Sequence, residues 1–197
     1  MKDLTFCLLA LFFIMSCSNE KEKSLEENSL MIDHLLSALQ EKGLEVSNSA
    51  QGTLLNAVAK AMQEGGTENA VAYCSKQAYP LLDSISIAEG YDICRISKKN
   101  RNPANALSTE MDQSIWSYYE SNPSVKKDTL LMNEELNNIY YRPIHLGMST
   151  CLKCHGERGS DIDSTTYQLI HELYPTDKAI DYKLGELRGL WKIDFGK

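Results

Sequence analysis

The chain has 197 residues, a length typical of one domain. Hydrophobic residues make up 43% and charged residues 24%, a balance that excludes a wholly disordered chain. The formal net charge of −7 argues against nucleic-acid binding, because affinity for phosphate needs clustered cations.

The N-terminus has the pattern of a bacterial lipoprotein signal. An apolar run from Leu4 to Met15 is too short to span a bilayer and ends beside Cys17 in a sequence like a lipobox. We expect residues 1–16 to be removed and the sulfur of Cys17 to be lipidated. A polar tether over residues 17–29 would then anchor the protein to a membrane, facing the periplasm or cell envelope. An ordinary signal peptide with an incidental cysteine is the alternative.

The rest of the chain, residues 30–197, is predicted to be a single α+β domain. The first helix is predicted over residues 25–42 and ends at Gly43, and the second runs from Leu54 to Met62 and ends at Gly65-Gly66. A third helix begins after Thr67, with a bend or break at Pro80. Further helices are predicted after Ser108 and over residues 164–173. Strands are predicted over residues 91–97, 128–133, 137–146 and 185–195. Because the helices come first and several strands follow, an antiparallel sheet is expected. The N-terminal helix also offers a surface for a homodimer.

One motif, Cys-Leu-Lys-Cys-His at residues 151–155, carries the chemistry. Two thiols at this spacing add across the two vinyl groups of a haem, and the adjacent histidine then faces the iron. We therefore expect one covalent haem c on Cys151 and Cys154, with His155 as an axial ligand. A zinc site would need a further ligand from a second cysteine or histidine pair, which the sequence lacks. A thioredoxin-type redox pair would leave His155 without a role.

The residues leave several candidates for the other axial ligand. Cys74 lies on a predicted helix among alanines, whose small side chains would let a flat macrocycle approach, and a thiolate suits ferric iron. Cys74 and Cys94 are alternatively buried small hydrophobes or a disulfide pair. The remaining candidates, for which surface or core positions are the ordinary roles, are His34, His145, His171, Met31, Met62, Met111, Met132 and Met148.

Three arginines are candidates for binding the haem propionates. Arg95 and Arg101 flank a polar loop, and Arg188 begins the last predicted strand. A buried carboxylate favours a bidentate guanidinium partner, which is the basis of this assignment. Ordinary ion pairs in loops and sheet are the alternative for each arginine.

Four blocks of sequence carry a resemblance to a known family. The blocks are Ala70-Val71-Ala72-Tyr73-Cys74; Cys94-Arg95-Ile96-Ser97 through Arg101-Asn102-Pro103-Ala104-Asn105; Tyr141-Arg142-Pro143-Ile144 to Cys151-Leu152-Lys153-Cys154-His155-Gly156; and Tyr174-Pro175-Thr176-Asp177-Lys178-Ala179 to Tyr182, followed by Gly185-Glu186-Leu187-Arg188-Gly189. Together they resemble the cyanobacterial Tll-type single-c-haem sensor domain, an exported domain of largely unknown function with a PAS-like fold.

The resemblance implies a PAS-like antiparallel sheet and an iron held by His155 and Cys74. Gly185-Glu186 departs from the Gly-Asp that is common in the family at this place. The family does not demand a cysteine at position 94, so Cys94 is predicted to be a core residue. His145 falls at a variable position, which argues against it as a ligand.

Two functions remain open from the sequence. A redox or small-ligand sensor would use a thiolate that protonates or leaves on reduction, and it would need a signalling partner because no transmitter domain follows the haem motif in this chain. A periplasmic one-electron carrier would instead pass electrons to a redox partner. An enzyme such as a peroxidase is not expected, because the sequence offers no clear distal acid/base pair.

Overall fold

The computed structural model describes the backbone from Leu4 to Gly196 and the side chains from Lys23 to Gly196. The side chains of the predicted signal peptide, residues 1–16, and of the predicted lipidation site Cys17 therefore lie outside the described residues. Within the described part, no helix is both long enough and apolar enough to cross a membrane. The chain divides into two compact units between Leu39 and Gln40.

A four-stranded antiparallel sheet forms the centre of the second unit. Its strands are β1 (Asp92–Ile96), β2 (Thr129–Met132), β3 (Asn138–His145) and β4 (Leu187–Asp194). The spatial order is β1-β4-β3-β2, so the last strand of the chain lies in the interior between β1 and β3. All three pairings are antiparallel, which confirms the predicted α+β class with an antiparallel sheet.

The first helix, α1, extends from Leu4 to Glu89 and is interrupted once. Gly65 and Gly66 have non-helical backbone angles, and Gly66 has a φ of +74° that favours glycine, so the predicted break at this pair is confirmed. Pro80 lies inside α1 and does not break it. Residues 23–29, predicted to be a polar tether, are helical and exposed.

The prediction that Gly43 ends the first helix is wrong. Helix α1 continues through Gly43, where a Cβ atom would lie 2.4 Å from a ring carbon of the fully buried Tyr140. Glycine is needed here because the helix backbone approaches β3 closely, and not because the helix ends.

Two apolar cores lie on opposite faces of the sheet. Helix α1 packs on one face through a cluster of buried residues, which are Val46, Ala50, Leu82, Ile93, Tyr140, Trp191 and Ile193. Helix α2 (Glu110–Ser121) packs on the other face, where the buried residues are Ile96, Ile115, Trp116, Tyr119, Ile139, Tyr141 and Leu190. The alternation of side chains along each strand thus divides the sheet between the two helices.

Two shorter helices complete the fold. Helix α3 (Ser149–His155) contains the Cys-x-x-Cys-His motif, and α4 (Ser164–Leu173) follows it with the predicted bounds. A short 3-10 helix, Pro103–Asn105, lies in the predicted polar loop after β1. The motif is therefore placed between the end of β3 and a long connection that leads into β4.

Candidate functional site

The motif helix α3 is fixed by the backbone of the connection before β4. Asp181 donates its amide hydrogen to the carbonyl oxygen of Gly156, and Tyr182 donates to that of His155, both with N···O distances of 2.9 Å. The imidazole of His155 adds a third bond, from Nδ1 to the carbonyl oxygen of Ala179 at 2.8 Å. These three bonds set the position and the ring orientation of His155.

The bond from Nδ1 determines which nitrogen of His155 is available. Because a carbonyl oxygen only accepts, Nδ1 carries the hydrogen, and the lone pair of a neutral ring is then on Nε2. The pKa of His155 lies well below its ordinary value, first because the ring is desolvated by burial and then because Arg188 and Arg101 are nearby cations. The ring is therefore neutral at pH 7, which is the form that binds a metal.

The two motif cysteines are free thiols that face different apolar clusters. Cys154 packs against Val71 of α1 and against Ile162 and Ile170, and burial raises its pKa to about 11. Cys151 packs beside Tyr182 in a second cluster. Both thiols are thus held at the edge of the apolar interior, as addition to the two sides of a macrocycle requires.

Cys74 lies on α1 close to this motif. Val71, about one helical turn earlier, contacts the cluster that contains Cys154, and Cys74 is half-buried. Its pKa is raised by burial and lowered by two cations, Arg95 and Arg101, with burial the larger effect. The structure therefore brings the predicted distal ligand into the same group of side chains as Cys154 and the arginines.

Arg101 connects the motif helix to the connection before β4. Its Nη2 donates to the carbonyl oxygens of Cys154 at 2.5 Å and Ala179 at 3.2 Å, and it lies 3.1 Å from Oδ2 of Asp177. Both side chains of this ion pair are about nine-tenths buried, with exposed fractions of 12% and 8%. Arg101 therefore positions the motif through Nη2, while its Nε has no hydrogen-bond partner.

The hydrogen-bond donors of Arg188 and Arg95 have fewer partners than those of Arg101. Arg188 donates from Nη1 to Ser97 Oγ at 3.3 Å and to the carbonyl oxygen of Lys99 at 3.4 Å, and burial lowers its pKa to about 10. Arg95 lies over the ring of Trp191, with Cζ 5.8 Å from the ring centroid, and burial lowers its pKa as well. The Nε atom of each guanidinium is buried without a hydrogen-bond partner.

The three guanidinium groups lie close enough to act on one another and on His155. Arg95 and Arg101 both contribute to the lowered pKa of Arg188, and the carboxylate of Asp177 opposes this effect. Three buried positive charges facing one buried negative charge leave an excess of about two. Haem carries two propionates, whose negative charge this excess and the orphaned Nε atoms would match. The two thiols and Nε2 of His155 supply the attachment and iron-binding groups that a haem c needs.

The other candidate ligands are three histidines and five methionines, of which His171 lines a small pocket together with Asp177. His145 is at the end of β3, where its lowered pKa reflects burial first and then the cation Lys126. His34 and His171 are exposed, as are the side chains of Met31, Met132 and Met148. Met62 and Met111 are half-buried, Met111 against the α2 core. Among the described residues, no three His, Cys, Asp or Glu side chains gather as ligands of a metal ion would.

The prediction that Cys94 is a core residue is wrong. Its thiol is free and exposed, so it forms no disulfide with Cys74. Cys94 pairs with Lys192 on β4, whereas its neighbour Arg95 pairs with Trp191 of the α1 core. Successive strand residues point to opposite faces, and the face that receives Arg95 is the one that carries Cys74 on α1.

Sequence reasoning missed the residues that support the site from the connection before β4. Asp177, Ala179 and Tyr182 belong to a block that carried the resemblance, yet no role followed from their types. Tyr182 lies with its ring centroid 6.4 Å from that of His155, edge to face. Lys99 lies over the ring of Tyr182 at 4.3 Å and donates to the carbonyl oxygen of Ile180.

Comparisons with known proteins agree with the sequence resemblance. A family model described as Tll0287-like (Tll0287) matches residues 19–195. The fold is similar to that of the crystal structure of the cyanobacterial heme-protein Tll0287, with a TM-score of 0.57 and 23% sequence identity. That similarity covers 77% of this chain and 93% of the other. No curated protein matches the chain.

Proposed function

Because the chain belongs to the Tll0287-like family, we propose that it is an exported protein that binds one haem c and acts as a redox or small-ligand sensor. One observation carries the haem assignment. The Cys-x-x-Cys-His motif and three buried arginines with orphaned Nε atoms meet at one place, although they come from distant parts of the sequence. The name of the similar crystal structure, a heme-protein, supports the same assignment.

In this proposal the thiols of Cys151 and Cys154 form thioether bonds to the two vinyl groups. His155 supplies Nε2 to the iron, and its Nδ1 bond to Ala179 fixes the ring. Arg95 and Arg188 bind the propionates, and Arg101 contributes its remaining Nε while it holds α3 in place. The bound haem supplies a one-electron redox centre.

Cys74 is proposed as the second axial ligand, on the opposite side from His155. Arg95 and Arg101 stabilise its thiolate, whereas burial favours the protonated thiol. A thiolate binds ferric iron well and ferrous iron less well, so reduction would favour release of Cys74 and open a coordination position. This lability favours a sensor, because an electron carrier needs the same ligands in both redox states.

A haem spectrum tests the covalent attachment. We expect the full chain, produced with haem maturation, to give an alkaline pyridine haemochrome spectrum of the c type and to retain its haem in acidic acetone. The matched variants Cys151→Ser and Cys154→Ser should each shift that spectrum toward the b type, whereas Cys94→Ser should not. Haem that acidic acetone extracts from the unchanged protein would overturn the assignment.

Carbon monoxide distinguishes a sensor from an electron carrier. We expect the ferrous protein to bind carbon monoxide, because Cys74 would leave the iron on reduction. We expect the ferric protein to give a low-spin thiolate signal in electron paramagnetic resonance. A ferrous protein that excludes carbon monoxide and keeps both axial ligands would favour the periplasmic electron carrier. In either case a signalling or redox partner protein is required.

Attachment to a membrane through lipidated Cys17 remains our proposal. Cys17→Ser should release the protein into the soluble fraction or leave it unprocessed. Cys7→Ser, in the same apolar run, is the matched control and should leave both processing and membrane attachment unchanged. Membrane fractionation and the mass of the N-terminal peptide decide the outcome, and normal trimming with unchanged attachment in Cys17→Ser would contradict the proposal.

A further inference from the structure

Helix α1 has a stripe of exposed apolar side chains in the first unit. The exposed fractions are 61% for Leu25, 53% for Ile32 and 55% for Leu35, and Leu39 continues the same line half-buried. Single exposed apolar residues are common on proteins, but three exposed residues and one half-buried residue on one helical line are a feature of interfaces.

The spacing of the stripe is that of a coiled coil. Leu25, Ile32 and Leu39 are seven residues apart and take position a of a heptad, which places Asn28 and Leu35 at position d. Packing of a and d residues against the same residues of a second helix buries such a seam, and a polar residue within the seam, here Asn28, fixes the register of the pair. The stripe is thus complementary to itself.

The charges along the helix agree with self-association. The positions that flank the seam, e and g, hold no charged residue; they are Ser24, Ser29, Met31, Leu36 and Ala38. All three acids between residues 25 and 39, which are Glu26, Glu27 and Asp33, fall at positions b and c, away from the partner helix. Two copies of this acidic chain can therefore meet along the seam without placing like charges opposite each other.

The same charges disfavour the membrane surface as the occupant of the stripe. A helix that lies on a bilayer has Lys and Arg on its polar face, which attract anionic lipid headgroups. Residues 25–39 contain three acids and no Lys or Arg. Anionic headgroups would repel this polar face.

We propose that two copies of this chain associate through a parallel coiled coil formed by residues 25–39, with Leu25, Asn28, Ile32, Leu35 and Leu39 in the seam. The seam spans two heptads, so the dimer is weak in solution and its population rises with concentration. Attachment of both copies to one membrane would raise their effective concentration and strengthen the pairing. The association does not depend on haem binding.

Two glutamate substitutions test the dimer in the full chain, purified in a mild detergent. Ile32→Glu places a charge in the seam, and Leu30→Glu places one at position f, where the native side chain is 63% exposed. For the unchanged chain and for Leu30→Glu, we expect sedimentation equilibrium to give a mass that rises toward that of a dimer as the concentration increases. For Ile32→Glu, we expect the mass of a monomer. A monomer for the unchanged chain at every concentration, or equal masses for the two variants, would overturn the proposal.

Cysteine crosslinking gives a second measurement that does not depend on detergent. In a Cys94→Ser background, which removes the exposed native thiol, Ile32→Cys should give a disulfide-linked dimer in intact membranes, and the adjacent Asp33→Cys should not. Crosslinking of both variants alike would indicate random collision. A monomeric chain whose binding to phosphatidylglycerol vesicles is lost in Ile32→Glu would instead assign the stripe to the membrane, contrary to the proposal.

Discussion

His155 and Ala179 are joined by a hydrogen bond of 2.8 Å from the imidazole Nδ1 to the carbonyl oxygen, although they are 24 residues apart. The same carbonyl oxygen accepts a hydrogen bond from Arg101 Nη2 at 3.2 Å. Asp177 contacts both residues: its Oδ2 forms an ion pair with Arg101, and its Oδ1 accepts from the backbone amide of Ala179. The imidazole of His155 is therefore oriented by an ion pair that it does not itself contact.

The first prediction concerns Asp177→Asn, which keeps the shape of the side chain and removes its charge. Because Arg101 then lies buried without its counter-ion, we expect the haem-free protein to lose about 3–5 kcal/mol of stability in urea unfolding. In the haem-loaded protein the added net positive charge near the iron should raise the reduction potential. Glu134→Gln, in the exposed turn between β2 and β3, is the control and should leave the potential unchanged. An unchanged potential in Asp177→Asn would show that its charge does not act on the iron.

The second prediction compares the two cysteines outside the motif. Cys74→Ser should keep the covalent haem but lose the ferric low-spin thiolate signal, and its reduction potential should rise because a negative ligand that favours Fe(III) has gone. Cys94→Ser, which removes an exposed thiol of β1, should change neither property. Paramagnetic resonance and a redox titration measure both. If Cys74→Ser leaves the ferric spectrum as it was, Cys74 is not a ligand, and His145 is the next residue to test, followed by His171 and Met148.

The third prediction is that Arg188→Gln changes the free energy of unfolding in opposite directions without and with haem. Without haem, its buried guanidinium is desolvated and repelled by Arg95 and Arg101, so Arg188→Gln should stabilise the haem-free protein. With haem, the same change removes a charge-assisted bond to a propionate and should cost about 1.5–3 kcal/mol. Urea unfolding of both forms measures the two effects.

Arg142→Gln is the matched control for this reversal. Arg142 already donates to Ser47 Oγ at 3.1 Å and Asn48 Oδ1 at 2.6 Å, so its loss should destabilise both forms equally. The same equal loss in Arg188→Gln would show that Arg188 is a structural residue with no propionate partner.

The fourth prediction is a pH dependence of the haem-free protein. The folded pKa of His155 is depressed, so below about pH 6.5 the unfolded chain binds a proton that the folded chain does not. The stability from neutral His155 is fully present above that pH and is lost as the pH falls toward the folded pKa, at up to about 1.4 kcal/mol per pH unit. Urea unfolding at pH 7.5 and 5.5 should show this loss, and His155→Gln should reduce it. An equal slope in both proteins would contradict the assignment.

The fifth prediction uses two glycines of α1. Gly43→Ala would place a methyl group against the buried ring of Tyr140 and should cost about 1–3 kcal/mol through overpacking. Gly52→Ala, in the same helix, meets no atom within 4 Å and should stabilise the protein by up to about 1 kcal/mol through helix propensity. Thermal unfolding distinguishes the two, and a stabilising Gly43→Ala would show that the helix is not held against β3.

Features that depend on neighbouring residues were predictable from the sequence. The spacing of Cys151, Cys154 and His155 predicts that the two thiols and the ring lie on one turn, and helix α3 carries all three. The Gly65-Gly66 pair marks the break in α1, since two adjacent glycines favour non-helical backbone. Helix α4 and the four strands also follow from local periodicity and turn residues.

Features that depend on contacts between distant residues were decided only by the tertiary structure. Gly43 has the residue type of a helix end, yet Tyr140, 97 positions later, makes it a point of close packing. A strand over residues 91–97 requires adjacent residues such as Cys94 and Arg95 to face opposite ways, but only the pairing of β1 with β4 determined which of them faces α1. The role of Asp177 likewise exists only where the connection before β4 meets Arg101, because an ion pair is defined by the distance between two charges and not by their order in the chain.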